Sequence, residues 1–372
     1  MEQVNQNWPA SRIVHLIGGC RAINNRGPIV NFDPPTLKGK QRQFQLTKYG
    51  AIFHSLESTG AVVIGVDFYS HVLEAKGIVP PNWRSYHRTK TTSWPAEETA
   101  QKWRNIGHAA FKQKNGKLWD IGSRIGHQLR VCAWRLREIS EAYSNQLFSR
   151  TELKDFKVGQ RFEDGFTWLS YLAIQSYLVD ACILRDYLSE FMFEYIYKDM
   201  VDFGNLKITA MGTFKKKLLD KLTESDNFTQ ELKQATSKEG WITLLGNYRD
   251  IVVHSAPLAQ AGRKLYSVCE KLKLVDGEEL PIIRCPIPEN PARILTSRST
   301  DSHFQDFDKQ FKIFIDAAKG DMPVIDGLEY ASDSLGKLAI LSDRIAAKSP
   351  IGPEMPVFDS SNIIGEIKIT KH

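Results

Sequence analysis

The chain has 372 residues, 42% of them hydrophobic and 25% charged, a balance that excludes a disordered or low-complexity protein and permits a sizeable core. A net charge of +6 is modest for this length, so charge by itself raises nucleic-acid binding only slightly. Five scattered cysteines, Cys20, Cys132, Cys182, Cys269 and Cys285, form no CxxC pair and no Cys/His cluster of zinc spacing, which argues against a disulfide framework or a structural metal.

The first seven residues lack the basic start and apolar run of a signal peptide, and a cytoplasmic location is expected. Arg12–Gly18 reads as a short strand, and Asn24–Lys40 as a basic arm punctuated by Gly and Pro. Gln45–Lys76 carries apolar residues densely enough for helix, although Ala61–Ile64 also suits a strand. Gly77–Pro95 is a loop marked by Pro80 and Pro81. Within it, His87 lies in a basic stretch read as plain surface in preference to a phosphate-backbone contact, whereas His54 and His71 are read as core or interface groups.

From Pro95 the pattern is helical. Leu118, Ile121, Ile125, Leu129, Cys132, Leu136, Ile139, Tyr143 and Leu147 recur at steps of three and four and so share one helix face. Arg124, Arg130, Arg135 and Arg137 fall outside that stripe, as a solvated face or a nucleic-acid contact. Asp164 or Gly165 opens a second helix reaching about Lys198, apolar almost all round and rich in aromatic rings read as core or subunit interface. Its stretch Trp168–Leu188 contains Gln175, Asp180, Arg185 and Asp186, costly in lipid, so a core helix is expected and no membrane partner. Phe214–Leu222 forms a short amphipathic helix holding Lys215, Lys216 and Lys217. Thr236 and Glu239 fit a capping box for the next helix, with Trp241, Leu244, Tyr248 and Ile251 as its buried stripe. Pro257 ends that helix near His254 or Ser255. A helix over Leu258–Leu274, a Pro-rich linker over Asp276–Ser302, helices over Phe304–Ala318 and Ile325–Ala347, and a tail strand over Ile363–Thr370 complete the reading.

Phosphate-binding glycine loops, HExxH, GxSxG and kinase signatures are absent, and no helix-turn-helix supports a DNA-binding regulator. Nine histidines are scattered without ligand spacing, so neither metal nor cofactor is expected. One segment stands out: Asn247-Tyr248-Arg249-Asp250-Ile251-Val252-Val253-His254-Ser255-Ala256-Pro257. Along one α-helix, five positions separate Arg249 from His254 by roughly 140° and about 7.5 Å of rise, so a break at the helix end is needed for them to meet. Arg104/His108 and Arg124/His127 have shorter spacings and are read as solvent-face coincidences.

The segment resembles the Rx4–6H motif of the HEPN superfamily, with polar Asp250 after the Arg and apolar Ile251-Val252-Val253 before the His. The resemblance covers about Leu118–Leu274. It implies a mainly α protein, a multi-helix HEPN-like bundle with minor β: residues 1–95 an N-terminal extension of uncertain fold, 96–275 the helical core, 276–372 a linker and helical C-terminal extension. It further implies a metal-independent endoribonuclease, a toxin or antiphage defence effector, acting on RNA as a homodimer, with an antitoxin or regulatory protein as an open further partner. Arg249 and His254, with Asp250 orienting one of them, would be catalytic, and Lys215, Lys216, Lys217, Arg124 and Arg130 would hold RNA. His titrates nearest neutrality and suits proton transfer, and Arg offers a permanent bidentate charge to a phosphorane. The alternative is a non-catalytic helical nucleotide-sensing or protein-interaction module.

Overall fold

A computed structural model of the chain describes residues 8–198, 207–222, 226–255, 265–292 and 324–357, with the side chains of 254 and 255 outside the description. The described residues open with a sheet. Strands β1 (Ser11–Leu16), β2 (Arg21–Asn24), β3 (Ile29–Asp33), β4 (Gln43–Gln45), β5 (Val63–Tyr69) and β6 (Asn82–Ser85) pair antiparallel in the order β4-β3-β2-β1-β5-β6. Register places Arg12, Val14, Ala22, Asn24, Val30 and Phe32 on one buried face, to which the short helix α1 (Ile52–Ser58) adds Ile52 and Leu56. Arg12 is buried there because its donors are met by the Asn24 side chain and, at 2.6 Å, by the Tyr49 carbonyl.

The opposite face carries His15, Asp67 and Trp83, and against it lies the 37-residue helix α4 (Gly116–Glu152). Three contacts fasten it: Trp83 Nε1 donates to the Ala133 carbonyl at 2.8 Å, Arg137 donates to both Asp67 oxygens at 2.9 and 2.7 Å, and Ser140 Oγ lies 3.0 Å from His15 Nδ1. Ala133, Arg137 and Ser140 are spaced four and three residues apart, one face of the helix. Gly65 allows this approach, since a Cβ there would stand 2.1 Å from the Trp83 ring.

Helix α3 (Pro95–Lys112) precedes α4 and packs along it, the chain reversing at Lys114 with φ 57° and at the Asn115 cap, whose side chain accepts from Leu118 N. Helix α5 (Gly165–Met192) starts from Asp164, which exchanges hydrogen bonds with Thr167 in a capping box, and packs on the other flank of α4. Short helices α6 (Met211–Lys217), α7 (Asn227–Ala235) and α8 (Trp241–Asp250) follow. Strand β7 (Arg161–Phe162) pairs with the hairpin β8 (Ser267–Lys273) and β9 (Glu279–Arg284), and β10 (Pro286–Pro288) with β11 (Val324–Asp326). Buried Asp326 caps the last helix, α9 (Gly327–Ala346), and takes further bonds from Tyr143 and the Cys285 amide.

The fold is mixed α/β and not the mainly α HEPN-like bundle expected: of the described residues 54% are helical and 17% are in strands. The strand signal was masked because β5 is buried on both faces over Val63–Asp67, which erases the two-residue alternation. Within the expected helix over Gln45–Lys76, only Ile52–Ser58 and the four-residue α2 (Val72–Ala75) are α-helical. The expected helix over Leu258–Leu274 is strand β8 where it is described, and the expected linker supplies β9 and β10. The missed cue is Asp276-Gly277, a hairpin turn whose glycine has φ 86°. The Thr236/Glu239 capping box does not form: Thr236 closes α7, and Gly240 precedes α8 without a side-chain cap. The stripe on α4, the extent of α5 and α9 over Ile325–Ala347 match closely. The expected helix over Phe304–Ala318 and the tail strand lie outside the described residues. One buried core runs across residues 95/96 and 275/276, from Val14 to Ala346.

Among the described residues, α5 with its extension to Tyr197 is the one helix long and apolar enough to cross a membrane, and half of its most apolar window is buried in the protein. Tyr171, Tyr177 and Phe191 are core, whereas Trp168, Leu169 and Leu172 are about half exposed.

Removing the Asp67 charge leaves Arg137 opposite a buried neutral group. The variant Asp67→Asn is therefore expected to lose about 3–5 kcal/mol of stability, read as a lower urea midpoint. An unchanged midpoint would show that the clamp is dispensable.

Candidate functional site

The structure brings together two groups that the sequence holds about thirty residues apart. Lys215, Lys216 and Lys217, in the last turn of α6, line a cavity of about 540 Å³ with Arg249 and Asp250 at the end of α8. Arg185 joins them from α5. Its guanidinium is buried and bonded to Asp186 through Nε at 3.2 Å and Nη2 at 3.0 Å, and the same Asp186 oxygen accepts the Met211 amide, which ties α6 to α5. Gly246 makes room: a Cβ there would lie 2.5 Å from Arg185 Nη1. Five cationic side chains thus line the cavity; Arg185 is paired with Asp186 and Arg249 with Asp250, which leaves the three lysines with Asp220 alone. Such a surface attracts anions.

Arg249 Nε lies 3.1 Å from Asp250 Oδ1, a charge contact without hydrogen-bond alignment. Beyond Asp250, the helix widens into a π-type turn over Ile251–Ser255. Turns closed by i→i+5 bonds carry positions five apart back towards a common side, which an α-helix does not. Arg249 lies in the α-helical turn before the π-type turn and His254 within it, so the helical pitch changes between the two. The His254 side chain lies outside the described residues.

Arg124, expected to hold RNA, is already engaged within the fold. Its Nε bonds Asp120 at 2.9 Å and its two Nη atoms bond Glu190 at 3.0 Å each, so the fold itself neutralises it. Arg135 and Arg137 are likewise held, by Asp180 with Glu138 and by Asp67. Arg130 differs: it has no ion pair among the described residues. His54 and His71 are exposed rather than core, and His71 caps α2; His87 is half-buried, and burial lowers its pKa.

A second cluster, absent from the sequence reading, is His15, Asp67, Glu141 and Ser140. Ser140 Oγ, His15 and Asp67 form a Ser-His-Asp chain, at 3.0 and 3.3 Å, but all three are about 1% exposed or less and leave no room for substrate. The His15, Asp67 and Glu141 ligand atoms also lie within 4.8 Å of one another. Arg137 occupies both Asp67 oxygens and Arg21 pairs with Glu141 at 2.8 Å, so the charge a cation would bring is already present. Burial lowers the His15 pKa, and although burial would raise Asp67, Arg137 and His15 hold its carboxyl down to about 2. The cluster is a sheet-to-helix clamp.

A third region lies between α3 and α4. One cavity there, of about 470 Å³, is lined by Trp83, Trp94, Trp134, Arg84, Arg130 and Glu97 among others. A neighbouring one, of about 620 Å³, is lined by Arg104, His108, His127, Trp119 and again Arg130. The histidines of the two short-spaced Arg/His pairs set aside in the sequence thus face one cavity, a convergence that needs the α3–α4 hairpin to be seen. Glu97 Oε1 accepts from Ser85 N at 2.9 Å and Ser85 Oγ at 3.0 Å, whereas Oε2 is sealed from solvent with no partner. Burial raises the Glu97 carboxyl to about 7, the Ser85 bonds opposing it.

In the folded protein Glu97 holds its proton up to about pH 7, against an ordinary value of 4.5. The folded state therefore binds more protons than the unfolded one between these values, and stability falls as pH rises through them, by up to about 3 kcal/mol. In Glu97→Gln this contribution is absent, so the difference between the two denaturation curves should change across that window. A constant difference from pH 4.5 to 7 would refute the assignment.

Comparison with family models, with curated proteins and with solved structures finds no match, and no family is shown for this chain.

Proposed function

We propose that the chain is an RNA-cleaving phosphodiesterase whose site is the Lys215–Lys217, Arg185 and Arg249 cavity with His254. The observation that supports it most is the convergence of the lysine run and the Arg249–Asp250 pair on one cationic cavity beside a widened helical turn. The resemblance of residues 247–257 to the Rx4–6H motif supplies the reaction class; it does not depend on the all-helical bundle, which the fold replaces.

In this reading the lysines hold the phosphate backbone, and Arg185, bonded to Asp186, adds to the cavity wall. The 2′-oxygen attacks phosphorus and the bond to the 5′-oxygen breaks, leaving a 2′,3′-cyclic phosphate and a 5′-hydroxyl. Arg249 stabilises the phosphorane charge, with Asp250 positioning its guanidinium. His254 moves the proton, as base towards the 2′-hydroxyl or acid towards the leaving oxygen. One protomer supplies one such histidine, and a second copy across a two-fold axis would supply the other.

Wild-type protein incubated with single-stranded RNA in chelator is expected to release cyclic-phosphate ends. Arg249→Ala and His254→Ala should each lose at least about 10²-fold in rate. Equal cleavage by all three proteins would remove the site assignment, and binding without cleavage in wild type would favour a non-catalytic nucleotide-sensing module. Replacing Lys215, Lys216 and Lys217 with alanine should weaken binding and flatten the salt dependence of log K by about 2, given roughly 0.7 per phosphate contact on a single strand. An unchanged slope would show that the lysines face away from the strand.

A further inference from the structure

Gln101 and Arg130 line both cavities, so the two meet at these side chains in the groove between α3 and α4. Its chemistry is uneven. At the middle, Gln101 Oε1 accepts weakly from Arg104 Nη1 at 3.5 Å and from Arg130 Nη2 at 3.4 Å, so two guanidiniums share one neutral acceptor. Neither has a carboxylate within ion-pair distance among the described residues, in contrast to Arg124, Arg135 and Arg137 on the same helix. Like charges drawn together without a counter-charge leave room for an anion. At one end Trp134, 40% exposed, and partly buried Trp94 line the cavity together with Glu97, whose Oε2 has no partner. Above about pH 7, where Glu97 is ionised, a sealed carboxylate oxygen without a donor is costly and is satisfied by an incoming N–H.

We propose that this groove binds a guanine nucleotide, with the base at the Trp94/Trp134 end donating N–H groups to Glu97 and the phosphate at Arg104 and Arg130. Indole faces stack any base, and a carboxylate selects a base edge that presents donors side by side, as guanine N1–H and N2–H do. Guanidiniums select phosphate. A cationic ligand is disfavoured by Arg84, Arg104 and Arg130, and a purely apolar one would leave Glu97 unpaired. The two cavities are of a size with small-ligand sites. The site is separate from the Arg249 cavity and shares no residue with it, so it stands or falls independently of RNA cleavage.

The test is titration of the full chain, at about pH 8 where Glu97 is ionised, with guanosine 5′-monophosphate, followed by tryptophan fluorescence and calorimetry, with adenosine 5′-monophosphate, guanosine and inorganic phosphate as comparison ligands. Saturable binding of the guanine nucleotide, tighter than each of the other three, is expected. Glu97→Gln should weaken it by about tenfold or more and leave the adenine nucleotide unaffected. Arg130→Met should weaken the nucleotide but not guanosine. Should Glu97→Gln fail to fold, as judged by circular dichroism, the surface variant Trp134→Ala replaces it and should weaken guanosine and nucleotide alike. No saturable binding by wild type, phosphate alone binding as tightly, or variants matching wild type would each overturn the proposal.

Discussion

A carboxylate removed from water needs a counter-charge or several donors, and Asp67 obtains both from a helix that begins nearly fifty residues later. Fully buried on β5, it accepts two bonds from Arg137 and lies 3.3 Å from His15 Nε2. This fixes α4 across the sheet in one register, because a slip of one residue on a helix would carry Arg137 some 100° away. The Trp83 bond to Ala133 and the Ser140 contact to His15 then fall into place on the same helix face. With α4 set, α3 and α5 pack along its flanks and α9 against all three, so the cavities inherit their walls from this one attachment.

Asp326 meets the same demand by other means at the far side of the core. It accepts from Tyr143 Oη at 3.0 Å, from the Cys285 amide at 2.9 Å and from two amides at the start of α9 at 3.2 Å. These are dipoles and not a touching cation, and burial raises its carboxyl to about 6, whereas the Arg137 guanidinium and His15 hold Asp67 near 2 despite its burial. The two carboxylates thus bracket α4, one joining it to the sheet and one to the β10–β11 ladder and α9.

Much of the helical half was legible because periodicity survives wherever one face is buried and the other wet. The stripe from Leu118 to Leu147 and the Asp164 cap are cases in point. Of the sheet, β1 and the start of β5 were legible as short strands and the rest was not, for two physical reasons. Strands buried on both faces, such as Val63–Asp67, lose alternation, and charged residues in them, Arg12, His15 and Asp67, look like surface when the partners that satisfy them lie far along the chain. The site was legible as residue types but not as a neighbourhood. Lys215–Lys217 and Arg249 were each visible in sequence, whereas Arg185, hidden in an apolar helix, becomes part of their cavity only through Gly246. Glu97 resembled an ordinary first-turn carboxylate of α3 until Ser85 of β6 came to lie over it.

What separates a structural arginine from a ligand-facing one here is the source of its counter-charge. Sequence places Arg124, Arg130, Arg135 and Arg137 on one helix with equal claims to an anionic partner. In the fold, three of them meet carboxylates from Asp120, Glu190, Asp180, Glu138 and Asp67, and a phosphate approaching any of these would have to displace a bond already made. Arg130 meets only Gln101 and another guanidinium, Arg104. Burial and the nearby Arg104 charge both lower its pKa, which means that its charged form is held at a cost an anion would relieve. The same reasoning applies to the lysine cavity, where Arg185 and Arg249 have carboxylate partners in Asp186 and Asp250 but Lys215, Lys216 and Lys217 share only Asp220. Charge imbalance that the fold leaves uncorrected, rather than basic content as such, is what points to a ligand.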